Sequence, residues 1–108
     1  MECNQRLLVE TGAFASTMCT TCEVVHIHNG IYCFGFALSE MKSWGKQVLE
    51  MDFEKYCVEE NQVKYLVIPS YIHNYEFHFF EDEFSEFQDL IGQTLSLLEV
   101  YEIAGISL

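Results

Sequence analysis

Proline occurs once in this chain, at Pro69, and lysine and arginine together only five times. Scarce proline leaves long stretches open to uninterrupted helix and sheet hydrogen bonding. Scarce positive charge, set against seventeen acidic residues and a net charge of −12, leaves no broad surface to attract phosphate backbones or anionic lipid. Residues 1–48 hold three basic and four acidic side chains, and residues 49–108 hold two and thirteen, so the second half carries nearly all of the excess. Arg6, Lys42 and Lys46 are too few for a nucleic-acid patch, and no nucleic-acid partner is expected. No apolar run approaches the roughly 20 residues of a helical bilayer span, so no membrane partner is expected either. A charged stretch followed by an apolar one is missing at the N-terminus, and the expected location is cytoplasmic. Also missing are a P-loop, a dinucleotide fingerprint, a Ser/His/Asp arrangement and an EF-hand loop, which turns the reading away from an enzyme.

Aromatic side chains are plentiful. Nine Phe, six Tyr and one Trp in 108 residues supply one compact core, and we expect a single domain over residues 1–108. Many of them fall in a repeat. Phe34-Gly-Phe36 answers Phe77-His-Phe79, Ser39-Glu40-Met41 answers Asp82-Glu83-Phe84, Trp44 answers Phe87 and Val48 answers Ile91, always at an offset of 43. Each copy passes from a strand period of two to a helix period near 3.6. The repeat spans residues 23–51 and 63–101.

Local signals set the elements. Gln5–Glu10 and Ala13–Met18 flank Thr11-Gly12 and predict a hairpin. Glu23–His28 and Ile31–Ala37 flank Asn29-Gly30, which tolerates the positive φ values of a type I′ turn and predicts a second hairpin with His26 opposite Cys33. Val25, Ile27, Tyr32, Phe34 and Phe36 then share one face, and His26, His28 and Cys33 the other. Ser39 is the expected N-cap of a helix bearing Met41, Trp44, Gly45, Val48 and Met51 at core spacing. Glu59-Glu60-Asn61 reads as an acidic connector, Val63–Ile68 and Tyr75–Phe80 as strands, and Asp82 as the cap of a last helix reaching about Glu102. That helix has an apolar stripe wide enough for a subunit partner to cover part of it, so a homodimer through it and the tail Ile103–Leu108 is expected. The fold class is α+β: an antiparallel or mixed sheet built from an N-terminal hairpin and two strand-strand-helix repeats, with both helices on one face.

Chemistry centres on cysteine. Five cysteines, an odd number, favour thiols or metal ligation over a disulfide framework. The two-residue gap of Cys19-Thr-Thr-Cys22 lets both sulfurs reach one tetrahedral ion from a turn between strands, and the first hairpin returns Cys3 toward Cys19. Soft thiolates favour zinc, and the expected ligands are Cys3, Cys19 and Cys22. His26, about 13 Å along the strand from Cys22 at roughly 3.3 Å per residue, is too distant to complete the site, leaving Glu40, Cys57, His73, His78 or water. His26, His28 and Cys33 form a separate patch, open to metal binding or pH sensing but ordinarily just an exposed sheet face. The carboxylates Glu81, Asp82, Glu83 and Glu86 match the dipole of a helix N-terminus rather than a catalytic cluster.

The order Cys3-x15-Cys19-x2-Cys22, strand, Asn29-Gly30, strand and Ser39-Glu40-Met41-x2-Trp44 resembles a small bacterial family of the Bacteroidetes type whose activity is unassigned. The resemblance covers the first half of the chain and implies the same three cysteines as metal-ligand candidates. Three functions follow from the residues. The first is a non-enzymatic, zinc-stabilised protein-interaction module, and the second a thiol redox protein using Cys19 and Cys22. The third is an acidic mimic that binds a cationic partner.

Overall fold

Alternating side chains in the first half produce the larger of two sheets. A computed structural model describes residues 4–19, 21–69 and 76–104. Strands β1 (Gln5–Glu10), β2 (Phe14–Cys19), β3 (Val24–Asn29) and β4 (Tyr32–Ala37) form an antiparallel sheet in that order. Phe14, Ser16, Met18, Val25, Ile27 and Phe36 share its inner face and are buried. Helix α1 (Leu38–Glu50) follows, then a short helix α2 (Phe53–Tyr56). Strands β5 (Val58–Glu60), β6 (Val63–Pro69) and β7 (Glu76–Phe79) form a second antiparallel sheet, and α3 (Glu81–Ala104) follows. The architecture is α+β, with two sheets where one was expected.

Both repeats are an antiparallel hairpin followed by a helix, and their equivalent residues meet at one centre. Phe36 stacks on Trp44 with centroids 4.9 Å apart, and Phe79, its counterpart, stacks on Phe87 at 4.7 Å. Trp44 and Phe87 then touch edge to face at 5.8 Å. Met41, Phe84, Val48 and Ile91 fill the remaining equivalent positions, all buried. Complete burial of a side chain such as Phe87 is worth about 2–3 kcal/mol in transfer free energy alone. The α1–α3 crossing is close because Gly45 has no side chain: a Cβ there would lie 3.0 Å from Leu95 Cδ1.

The repeat extends to helix capping. Glu40 Oε1 accepts the Ala37 N–H at 2.8 Å, and Glu83 Oε1 accepts the Phe80 N–H at 2.9 Å, again 43 residues apart. Ser39 and Asp82 therefore sit inside the first turns instead of capping them, because the glutamate at the third helical position reaches back and fixes the start earlier in the chain.

Three further departures have local causes. In the second hairpin the turn is Gly30-Ile31, with Gly30 at φ 61 and Asn29 paired to Tyr32, as a type II′ turn places its glycine. The register moves by two residues, so every side chain keeps its face but His28, not His26, lies opposite Cys33. Tyr32, placed on the core face by alternation, is 55% exposed at the hairpin end. In the first hairpin a bulge at Leu8 and a longer loop set Gln5 opposite Cys19. The acidic connector is strand β5, joined to β6 by Asn61 and Gln62, which both have positive φ (53 and 66). Two glutamates weaken the strand signal there.

Part of the wide stripe of α3 is covered within the chain. Leu90 and Thr94 are fully buried, and Thr94 Oγ1 bonds Ser16 Oγ at 2.7 Å while donating to the Leu90 carbonyl at 2.7 Å. On this side the stripe thus meets β2, whereas Leu97 and Tyr101 are half-buried and Val100 is 56% exposed. No helix among the described residues is long and apolar enough to cross a membrane.

Candidate metal centre

Strand β2 ends at Cys19 and strand β3 begins at Val24, so the chain reverses within four residues. Cys19 is completely buried and Cys22 is exposed. The backbone N–H of Cys22 donates to Cys19 Sγ at 3.5 Å, and that of Glu23 donates to the Cys19 carbonyl at 3.0 Å. Glu23 closes the turn with φ 56, a left-handed value that costs a residue bearing a Cβ roughly 1–2 kcal/mol. A backbone donor aimed at a sulfur is the outer-shell contact that a metal-bound thiolate uses to hold its orientation. The turn leads into a strand, and the helix N-terminus that would favour a reactive thiolate does not follow it.

Of the other ligand candidates, Cys3 and His73 lie outside the described residues. Glu40 is engaged as the α1 cap. Cys57 follows α2 and its thiol donates to the Glu54 carbonyl at 3.8 Å. His78 belongs to β7, with Glu76 Oε1 at 3.5 Å. Among the described residues no three His, Cys, Asp or Glu side chains gather closely enough to hold a metal ion. Cys19, buried, and Cys22, exposed, are joined across one tight turn by the Cys22 N–H on Cys19 Sγ.

The outer face of the larger sheet carries the histidine patch. Leu7, Thr17, His26 and Gly35 align across its four strands. A Cβ on Gly35 would lie 3.4 Å from the His26 ring, at van der Waals contact with it. His26 Nδ1 is buried without a hydrogen-bond partner, and burial first, then the charge of neighbouring His28, lower the His26 pKa below its ordinary 6.5. His28 Nε2 pairs with Thr17 Oγ1 at 2.9 Å, and Thr17 donates to Gln5 Oε1 at 2.9 Å. With Cys33 opposite His28, the patch is a hydrogen-bonded surface and not a three-ligand cluster.

Sequence reasoning missed a second polar row on the smaller sheet. Glu60 Oε2 accepts the Tyr65 hydroxyl at 3.1 Å, and Tyr65 stacks on His78 at 5.7 Å with an interplanar angle of 6°. The alternation of Val63, Tyr65 and Val67 with Leu66 and Ile68 carries a signal for this face, but only once β5 is recognised as a strand. Compared with protein families, curated proteins and solved structures, the chain matches none.

Proposed function

We propose that this chain is a non-enzymatic, zinc-stabilised protein-interaction module of the cytoplasm, with Cys3, Cys19 and Cys22 as thiolate ligands. The observation that carries the reading is the Cys19–Glu23 turn, where a backbone N–H points at the Cys19 sulfur and a left-handed residue closes the loop. Three thiolates and one further ligand or water would give zinc its tetrahedral set. Zinc bound there would supply charge neutralisation and a crosslink between the N-terminal strand and the β2–β3 turn, and its binding free energy would add to folding. That contribution suits a chain of 108 residues with a modest core. The redox alternative lacks the helix dipole that would activate Cys22.

The test is substitution with a paired readout of zinc content and melting temperature. Cys19→Ser and Cys22→Ser should each lose the metal and melt at lower temperature, whereas Cys33→Ser, exposed on β4, should keep both. A Cys19→Ser protein with unchanged zinc and unchanged melting would overturn the reading.

A further inference from the structure

The smaller sheet has a buried face and an outer face of mixed character. Leu66, Ile68, Phe77 and Phe79 point into the core. On the other side, strand pairing sets Val58 beside Tyr65, Glu60 beside Val63, and Val67 beside His78. Val58 and Val63 are 47% and 45% exposed, a large fraction for β-branched side chains on a regular sheet. Glu60 and Glu76 stand at either end of the Tyr65–His78 stack, so a carboxylate brackets the aromatic pair on each side.

Carboxylates also gather on the opposite side of the same sheet. Glu54 and Glu81 share a hydrogen bond that pushes Glu81 up and draws Glu54 down, the response of two carboxylates crowded together. Lys64 alternates to the side of β6 opposite Val63 and Tyr65, where Glu54 holds it at 3.3 Å, so it adds no positive charge to the outer face. An anionic polymer would be repelled here, and a second copy of this chain would bring the same carboxylates to the contact. Arginine and lysine fit both features, because their hydrocarbon stems cover apolar surface while their heads reach the acids.

We propose that the outer face of β5–β7 docks an extended cationic protein segment, its basic heads on Glu60 and Glu76 and its stems on Val58, Val63 and Val67. The proposal rests on the interaction-module reading for the existence of a partner, and is independent of the metal. Short-range contact with the valines distinguishes this surface from the diffuse attraction that any chain of charge −12 exerts on a polycation.

The experiment titrates the isotope-labelled full chain with a synthetic octa-arginine peptide. Chemical shifts are followed by NMR and affinity by fluorescence anisotropy, with an octa-glutamate peptide as the negative control. Shifts should concentrate on residues 58–67 and 76–79. Val58→Ser combined with Val63→Ser leaves net charge unchanged and should weaken binding about 5–10-fold through lost apolar contact. Glu60→Gln with Glu76→Gln should weaken it about tenfold, and Glu10→Gln with Glu99→Gln, equal in charge but on β1 and α3, no more than about twofold. Circular dichroism of each variant verifies folding. Equal losses from the two glutamine pairs, undiminished binding by the serine pair, or shifts spread over the whole acidic surface would overturn the proposal. Loss of binding with zinc content intact would leave the metal reading untouched, and the converse result would leave this one.

Discussion

The two strand-strand-helix repeats are alike inside and different outside. Inside, Phe36 on Trp44 matches Phe79 on Phe87, and Glu40 on the Ala37 N–H matches Glu83 on the Phe80 N–H. Outside, the first repeat is extended by β1 and β2 and presents Thr17, His26 and Gly35, whereas the second gains β5 and presents Tyr65 and His78 between glutamates. Packing and capping tolerate little change, because every interior methylene and every exposed helix-end N–H has an energetic consequence. The outer faces carry no such constraint, and that is where the two halves have acquired separate characters.

The largest expected effect comes from breaking the shared centre. Phe87 touches Phe14, Trp44, Phe77 and Phe79, and its truncation in Phe87→Ala should cost about 3–5 kcal/mol, with Trp44→Ala in the same range. Urea unfolding measures both, and a cost below about 1 kcal/mol for either would mean that the repeats do not meet as described. Next in size, Ser16→Ala should cost about 1–2 kcal/mol by removing the buried partner of Thr94, which retains its bond to the Leu90 carbonyl. The cap comparison is sharper still. Glu40→Ala and Glu83→Ala should each lose about 0.5–1 kcal/mol and agree closely, since each removes one carboxylate from one backbone donor. A large inequality would show that only one cap matters.

The smallest effect distinguishes the outer faces by pH. A base whose folded pKa lies below its unfolded value binds fewer protons when folded, so the native state gains stability as pH rises through that interval. For His26 the contribution is complete above about pH 6.5, declines as pH falls below it, and levels off once the pH passes the lower folded value. His26→Gln should flatten that part of the stability curve. A wild-type slope that survives the substitution would assign it to another group.

Much of this arrangement is legible in the sequence. The repeat is readable because strand and helix periods are both strong, and the identity of the faces survived a turn assigned two residues away, since a two-residue slip preserves parity. Register did not survive, because Asn29-Gly30 and Gly30-Ile31 are both acceptable turns and the choice depends on what β3 and β4 pack against. Strand β5 was hidden by its glutamates, and with it the row from Glu60 to His78. At the candidate metal centre the spacing of Cys19 and Cys22 is visible, but the left-handed Glu23 is not: glutamate gives no hint of positive φ, and only the closed turn imposes it. Cys3 and the tail residues 105–108 lie outside the described residues, and the side chains of Ile103 and Ala104 do so as well, so the third ligand and the homodimer rest on sequence alone.

The most direct test of the metal reading is metal content per chain on protein purified without chelator, together with a count of reactive thiols before and after denaturation. The account predicts about one zinc per chain, with about three of the five thiols protected until the protein is unfolded in chelator. No bound metal in protein whose Cys22 reacts freely while folded would contradict it, reducing the Cys19–Cys22 turn to a tight connection between two strands.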